Sequence, residues 1–77
     1  MNKDRRKQID EAGSVLQDAL ALIEQIRDDE QEAFDNMPES LQQSDRGTAS
    51  EAAIEELDDS VGNLQYIIDT IDNAKGE

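Results

Sequence analysis

No cysteine, histidine or tryptophan occurs among the 77 residues of this chain, and proline, tyrosine and phenylalanine occur once each. Without cysteine there is no disulfide and no thiolate nucleophile. Without histidine the commonest metal ligand and proton shuttle is missing. Bases are scarce as well, seven against twenty acids, for a net charge of −13. No apolar run approaches the length that crosses a membrane. The basic start, Met1 to Lys7, runs into Gln8, Asp10 and Glu11 rather than an apolar stretch, so no signal peptide is expected. These features predict a soluble, cytoplasmic chain with no membrane partner. A chain this short makes one domain, residues 1–77, whose core gives little net stability without a staple. Oligomerisation is the staple that remains.

High charge with few aromatics is also the signature of disorder, but the periodicity argues for helices. From Ile9 onward, apolar residues recur at alternating steps of three and four: Ile9, Ala12, Leu16, Ala19, Ile23 and Ile26, then Glu30, Ala33 and Met37. This is an a/d heptad seam with one breach, at Glu30. A second seam, Ile54, Leu57, Val61, Leu64, Ile68 and Ile71, has none. Between them, Pro38 disfavours helical geometry at Met37 and cannot continue the hydrogen-bond ladder. Thr48 followed by Glu51 reads as a capping box. The spacing therefore predicts a helix over about 3–36, a bend over about 37–47 with a short helical turn at Pro38 to Leu41, and a second helix over about 48–75.

Those helices would be roughly 50 and 42 Å long, and two helices of similar length joined by a short bend most simply form an antiparallel, coiled-coil-like hairpin. The expected fold class is all-α. Two registers keep the seams facing: one sets Leu16 against Leu64 and Ile23 against Leu57, the other Ile23 against Leu64 and Ala33 against Ile54. Apolar residues beside the seams, Val15, Leu20, Leu22, Phe34 and Ile67, would stay wet in such a hairpin. Each exposed large side chain forgoes about 1.5–3 kcal/mol. They are the candidate oligomer interface, and a homodimer of hairpins forming a four-helix bundle would cover them.

Charge is distributed unevenly. Four of the seven bases, Lys3, Arg5, Arg6 and Lys7, fall in the first seven residues, which leaves residues 8–77 with nineteen acids and three bases, a net of −16. Such a body is repelled by nucleic acid and anionic membranes, so its natural partner is a basic protein surface. Candidate protein-binding residues are Asp28, Asp29, Glu32 and Asp35 on the first helix and Glu55, Glu56, Asp58 and Asp59 on the second. A plain reading is that these acids only keep an apolar bundle soluble. Two features weigh against it. Glu24–Asp28, Asp28–Glu32, Glu51–Glu55 and Glu55–Asp59 are like-charge pairs at i,i+4, each costing a few tenths of a kcal/mol. The first helix also carries its bases at the N-terminus and its acids at the C-terminus, against its dipole. Two bodies of −16 side by side over ~50 Å give roughly one negative charge per 1.6 Å, close to duplex DNA at ~1.7 Å. Nucleic-acid mimicry is the sharpest form of this reading.

Catalysis and cofactors are not expected. Ser14, Ser40, Ser44, Ser50 and Ser60 have no histidine to activate them and are better explained as caps and turn formers. Carboxylate-bridged metal sites in bundles use a Glu-x-x-His motif that this chain lacks, and no segment follows the calcium-loop pattern. Glu30, at a seam position, is expected near the end of the bundle, solvated or paired with Arg27 or Arg46. Tyr66 points outward and is expected to lie along its own helix.

The stretch Asp29-Glu30-Gln31-Glu32-Ala33-Phe34-Asp35-Asn36-Met37-Pro38-Glu39-Ser40-Leu41-Gln42, followed by Ser44 and Arg46-Gly47, resembles a segment of small acidic helical proteins of bacteriophages, prophages and plasmids. The resemblance implies a mobile-element origin, a setting in which small acidic proteins often bind and block host proteins. It carries no activity and transfers no binding residue.

Overall fold

Asn2 opens the first helix by accepting the backbone N–H of Arg5 on its side-chain oxygen at 2.8 Å, an N-cap bond that satisfies one of the free donors of the first turn. In the computed structural model, which describes residues 1–76, α1 then runs from Lys3 to Asp35. Glu77, the last residue of the expected domain, lies outside the described residues. Helix α1 ends where Pro38 requires it. The Gln42 side-chain amide donates to the Phe34 carbonyl at 3.0 Å, supplying a partner that the helix itself cannot give its last turn. Pro38 starts a single turn, α2, over Glu39–Gln42, with the amides of Leu41 and Gln42 donating to its carbonyl at 2.9 and 3.0 Å.

Helix α3 spans Asp45–Lys75, three residues longer at its start than the spacing of Thr48 and Glu51 suggests. Its N-cap is Ser44, whose hydroxyl accepts from the Gly47 N–H and donates to the Leu41 carbonyl, tying the new helix to the turn before it. Thr48 lies inside the first turn, its amide donating to the Ser44 carbonyl at 2.9 Å. Both positions carry capping chemistry; the one nearer α2 can close two bonds at once, and it takes the cap. Gly47 is buried there, and a Cβ at this position would run into the Gln42 carbonyl. A side chain is thus excluded by close approach of α2, not by backbone conformation.

Among the described residues the architecture is wholly helical, and α1 packs along α3 while α2 closes against α3. The Cα envelope measures 58 × 15 × 12 Å. Lys75 meets Asp10 at 2.8 Å and Arg27 meets Asp58 at 2.9 Å, so 17 residues forward along α1 correspond to 17 residues back along α3. By that measure Leu16 lies level with Ile68–Asp69 and Leu20 level with Leu64–Gln65, between the two expected registers, while the Glu30 side chain reaches about a turn further along α3 to Ser50.

Helix α1 also departs from the expected seam. Its inward positions are Ile9, Gly13, Leu16, Leu20, Ile23, Arg27, Glu30 and Phe34, with Met37 continuing the line just past its end and Ala19 and Glu24 half-buried beside it, whereas Ala12, Ile26 and Ala33 are exposed. One column of the seam, expected at Ala12, Ala19, Ile26 and Ala33, is instead Gly13, Leu20, Arg27 and Phe34. Alanine is too short to fill the space between two helix axes, and turning the helix by one position brings Leu20 and Phe34 in. On α3 the seam is as read: Ile54, Leu57, Val61, Leu64, Ile68 and Ile71 all point inward. Among the described residues, Leu20 and Val61, each 7% exposed, are the only buried large apolar side chains. A core this thin fits the marginal stability expected of a short chain without staples.

Candidate functional site

The pairing of α1 with α3 leaves two unlike edges, which follow from the heptad once Leu20 is placed at an a position. Columns e and g then flank the seam on opposite sides, and in helices paired in opposite directions e meets e and g meets g. The e edge presents Gln17, Glu24 and Gln31 from α1 and Glu51, Asp58, Gln65 and Asp72 from α3, all polar. The g edge, with the neighbouring c column, presents Val15, Ala19, Leu22 and Ile26 from α1 and Ala53 and Ile67 from α3.

At the bend end of the polar edge lies an open groove lined by Gln31, Phe34, Glu51, Ile54, Glu55 and Asp58. Phe34 and Ile54 supply an apolar floor and three carboxylates supply the rim. Phe34, expected at an oligomer flank, is instead half-buried against α3 in this groove. Asp58 is also held by Arg27, whose guanidinium binds Asp28 at 3.2 Å and Asp58 at 2.9 Å, bridging the helices. Hydrogen bonds to Asp28 and then Asp58 raise the Arg27 pKa, outweighing the opposing effect of desolvation. Asp35 accepts from the Gln31 amide at 3.0 Å. Among the described residues, Asp29, Glu32, Asp35, Glu55, Glu56 and Asp59 have no cation within salt-bridge distance. All eight candidate acids are exposed. The structure brings Asp28 to Asp58 through Arg27, and Glu55 and Asp58 to one groove; the others are spread around the bend half. No group of three metal-ligating side chains converges among the described residues.

Glu30 is a correction. It is neither fully solvated nor paired with Arg27 or Arg46; its Oε1 accepts the hydroxyl of Ser50 at 2.6 Å. Ser50 is 6% exposed. A half-buried carboxylate and a buried hydroxyl thus satisfy each other across the helix pair, and no buried side-chain polar atom among the described residues lacks a partner.

The expected oligomer interface is partly redrawn. Leu20 belongs to the core of the helix pair, and Phe34 to the polar-edge groove. Val15, Leu22 and Ile67 remain exposed at 68%, 58% and 44%, and Ile26, expected in the seam, joins them at 47%. These four share the g/c side of the pair. Ile26 and Glu51 escape the sequence reading for separate reasons: heptad spacing sets the α1 seam one position off, and Glu51 reads as half of a capping box. The size of Leu20 and Phe34 beside alanines was the signal that could have corrected the first.

No helix among the described residues is long and apolar enough to cross a membrane. Compared with protein-family models, curated proteins and solved structures, the chain matches none.

Proposed function

We propose that this chain is a non-enzymatic, acidic protein-binding module: an antiparallel helical hairpin that pairs with a second copy into a four-helix bundle and docks its bend end on a basic surface of another protein. The groove of Phe34 and Ile54 rimmed by Glu51, Glu55 and Asp58 carries this reading. A lysine or arginine side chain is apolar along its stem and cationic at its head, and this groove offers an apolar floor and carboxylates in that order. Around it, residues 24–62 hold thirteen acids and two bases, a net of −11, whereas the rest of the chain nets −2. The density near that of duplex DNA makes a decoy for a nucleic-acid site the strongest form of the proposal. The resemblance of the Asp29 to Gln42 segment to phage and plasmid proteins adds weight to a mobile-element product that captures a host protein in the cytoplasm.

Neutralising the groove rim, Glu51, Glu55 and Asp58, together with Asp28, Asp29, Glu32, Glu56 and Asp59, to Asn or Gln tests it. The variant keeps its helicity but loses capture of basic nucleic-acid-handling proteins from a cell lysate, capture that the unaltered protein shows and that high salt or added duplex DNA abolishes. Capture retained by the neutralised variant would overturn the reading.

A structural assembly module is the second reading, favoured by the exposure of Val15, Leu22 and Ile67. It differs in outcome: assembly beyond the dimer persists at high salt and is lost when those residues are changed to Glu.

A further inference from the structure

Resting on the dimer reading above, we infer that the second copy packs on the Val15–Leu22–Ile26 face in the opposite direction, α1 against α1 and α3 against α3, so that each bend covers the partner copy's free end. Two face-to-face arrangements have closed two-fold symmetry. If the axis runs along the molecule, both bends lie at one end and α1 of each copy meets α3 of the other. If the axis crosses the molecule, the bends lie at opposite ends and like helices meet.

Area permits either. The 58 × 15 Å face is on the order of 800 Å², the area per partner of a standard stable interface.

Charge separates them. Bends at one end set −11 against −11. Bends at opposite ends set −11 against −2 at both ends. The charges on the face itself agree: Arg5 occupies the g column at the free end, and Asp29 and Glu56 occupy the c columns at the bend end. Crossing the molecules brings the base of each copy toward the acids of the other, and aligning them brings acid to acid.

Apolar matching gives the same answer independently. Along this face α1 presents Ala12, Val15, Ala19, Leu22 and Ile26 without interruption, whereas α3 presents Ala53, Glu56, Ser60, Asn63, Ile67 and Thr70, apolar only at Ala53 and Ile67. Given the observed level of the two helices, α1 against α3 would bury Leu22 beside Asn63 and Val15 beside Thr70. In α1 against α1, apolar meets apolar, with the middle of the stripe near Ala19. Burying leucine and valine against unpaired polar groups forfeits part of the gain that drives association.

The chain has no cysteine, so a single Asp4→Cys substitution gives one spin label per copy, on the outer side of α1. Electron–electron distance measurement on the dimer is expected to give about 45 Å, twice the rise from Asp4 to Ala19 at ~1.5 Å per residue. Asp45→Cys, labelling the other end, is expected to give a still longer distance. Aligned bends would give nearly equal distances at both sites, set by about two interhelical spacings of ~10 Å plus the labels and well short of ~45 Å, and would overturn the inference while leaving the dimer standing. A monomer mass in sedimentation across micromolar concentrations would instead overturn the dimer reading, and this inference with it.

Discussion

At the scale of single residues, the most informative contact is Ser50 with Glu30, because it shows how a charged residue is tolerated in a seam. The carboxylate accepts at 2.6 Å from a hydroxyl that is itself almost fully buried. Removing one member leaves the other without its partner. Ser50→Ala is expected to cost about 1–3 kcal/mol in urea unfolding, the range for orphaning a buried polar group. Replacing both, as Ser50→Ala with Glu30→Leu, is expected to recover that loss, since an apolar pair leaves nothing unsatisfied. A double variant as unstable as Ser50→Ala alone would show that the cost came from packing. Nothing in the heptad pattern points to this pair. Glu30 reads there only as a breach, and identifying its partner requires the level of α3 beside α1.

Among the elements, the start of α3 separates two capping residues that the chain presents four apart. Ser44 makes the cap and Thr48 does not. Ser44→Ala is expected to lower stability by ~1 kcal/mol, and Thr48→Ala to stay within ~0.5 kcal/mol of the parent in the same denaturation experiment. The reverse order would place the helix start where the capping-box spacing puts it. At the other end of α3, Lys75 joins the free ends by binding Asp10 at 2.8 Å and Asp72 at 3.2 Å. The hydrogen bond to Asp10, then that to Asp72, raises the Lys75 pKa above its ordinary value. A lysine with a raised pKa in the folded state stabilises fully below its unfolded value and loses that contribution as pH climbs through the folded one. The stability difference between the parent and Lys75→Gln is therefore expected to be constant through neutral pH and to close as pH climbs above about 10.4. A difference that persists through that alkaline range would assign it to something other than the lysine charge.

For the molecule as a whole, charge and apolar surface pull in different directions. A net of −11 in one half opposes compaction, and only Arg27 and Arg46 lie in that half to offset it. Screening at a Debye length of ~10 Å in 0.1 M salt weakens this repulsion while leaving apolar contacts intact. The thermal midpoint is expected to rise between low and moderate salt, followed by circular dichroism at fixed protein concentration. A falling midpoint would mean that the cross-helix ion pairs outweigh the repulsion. The exposed Val15, Leu22 and Ile26 act the other way, favouring a second copy, and their place beside a predominantly acidic surface is what makes the direction of pairing a matter of charge.

Much of this was legible in the sequence because helical periodicity and backbone restrictions are local. The two long helices, the break at Pro38, the α3 seam from Ile54 to Ile71 and the gradient from basic start to acidic bend all depend on residues close in the chain. Local rules could not place the α1 seam. Ala12, Ala19 and Ile26 keep heptad spacing as faithfully as Gly13, Leu20 and Arg27 do, so periodicity alone admits both columns. The choice is made by volume across the interface, where Leu20 and Phe34 reach a partner that alanines cannot. From that one-position turn follow the groove at Phe34 and the release of Ile26 to the outer face. The helices and their charge were determined by the sequence itself, since each is a property of neighbouring residues; which sides of those helices meet, and which stay free, was decided only when two surfaces had to fill one another.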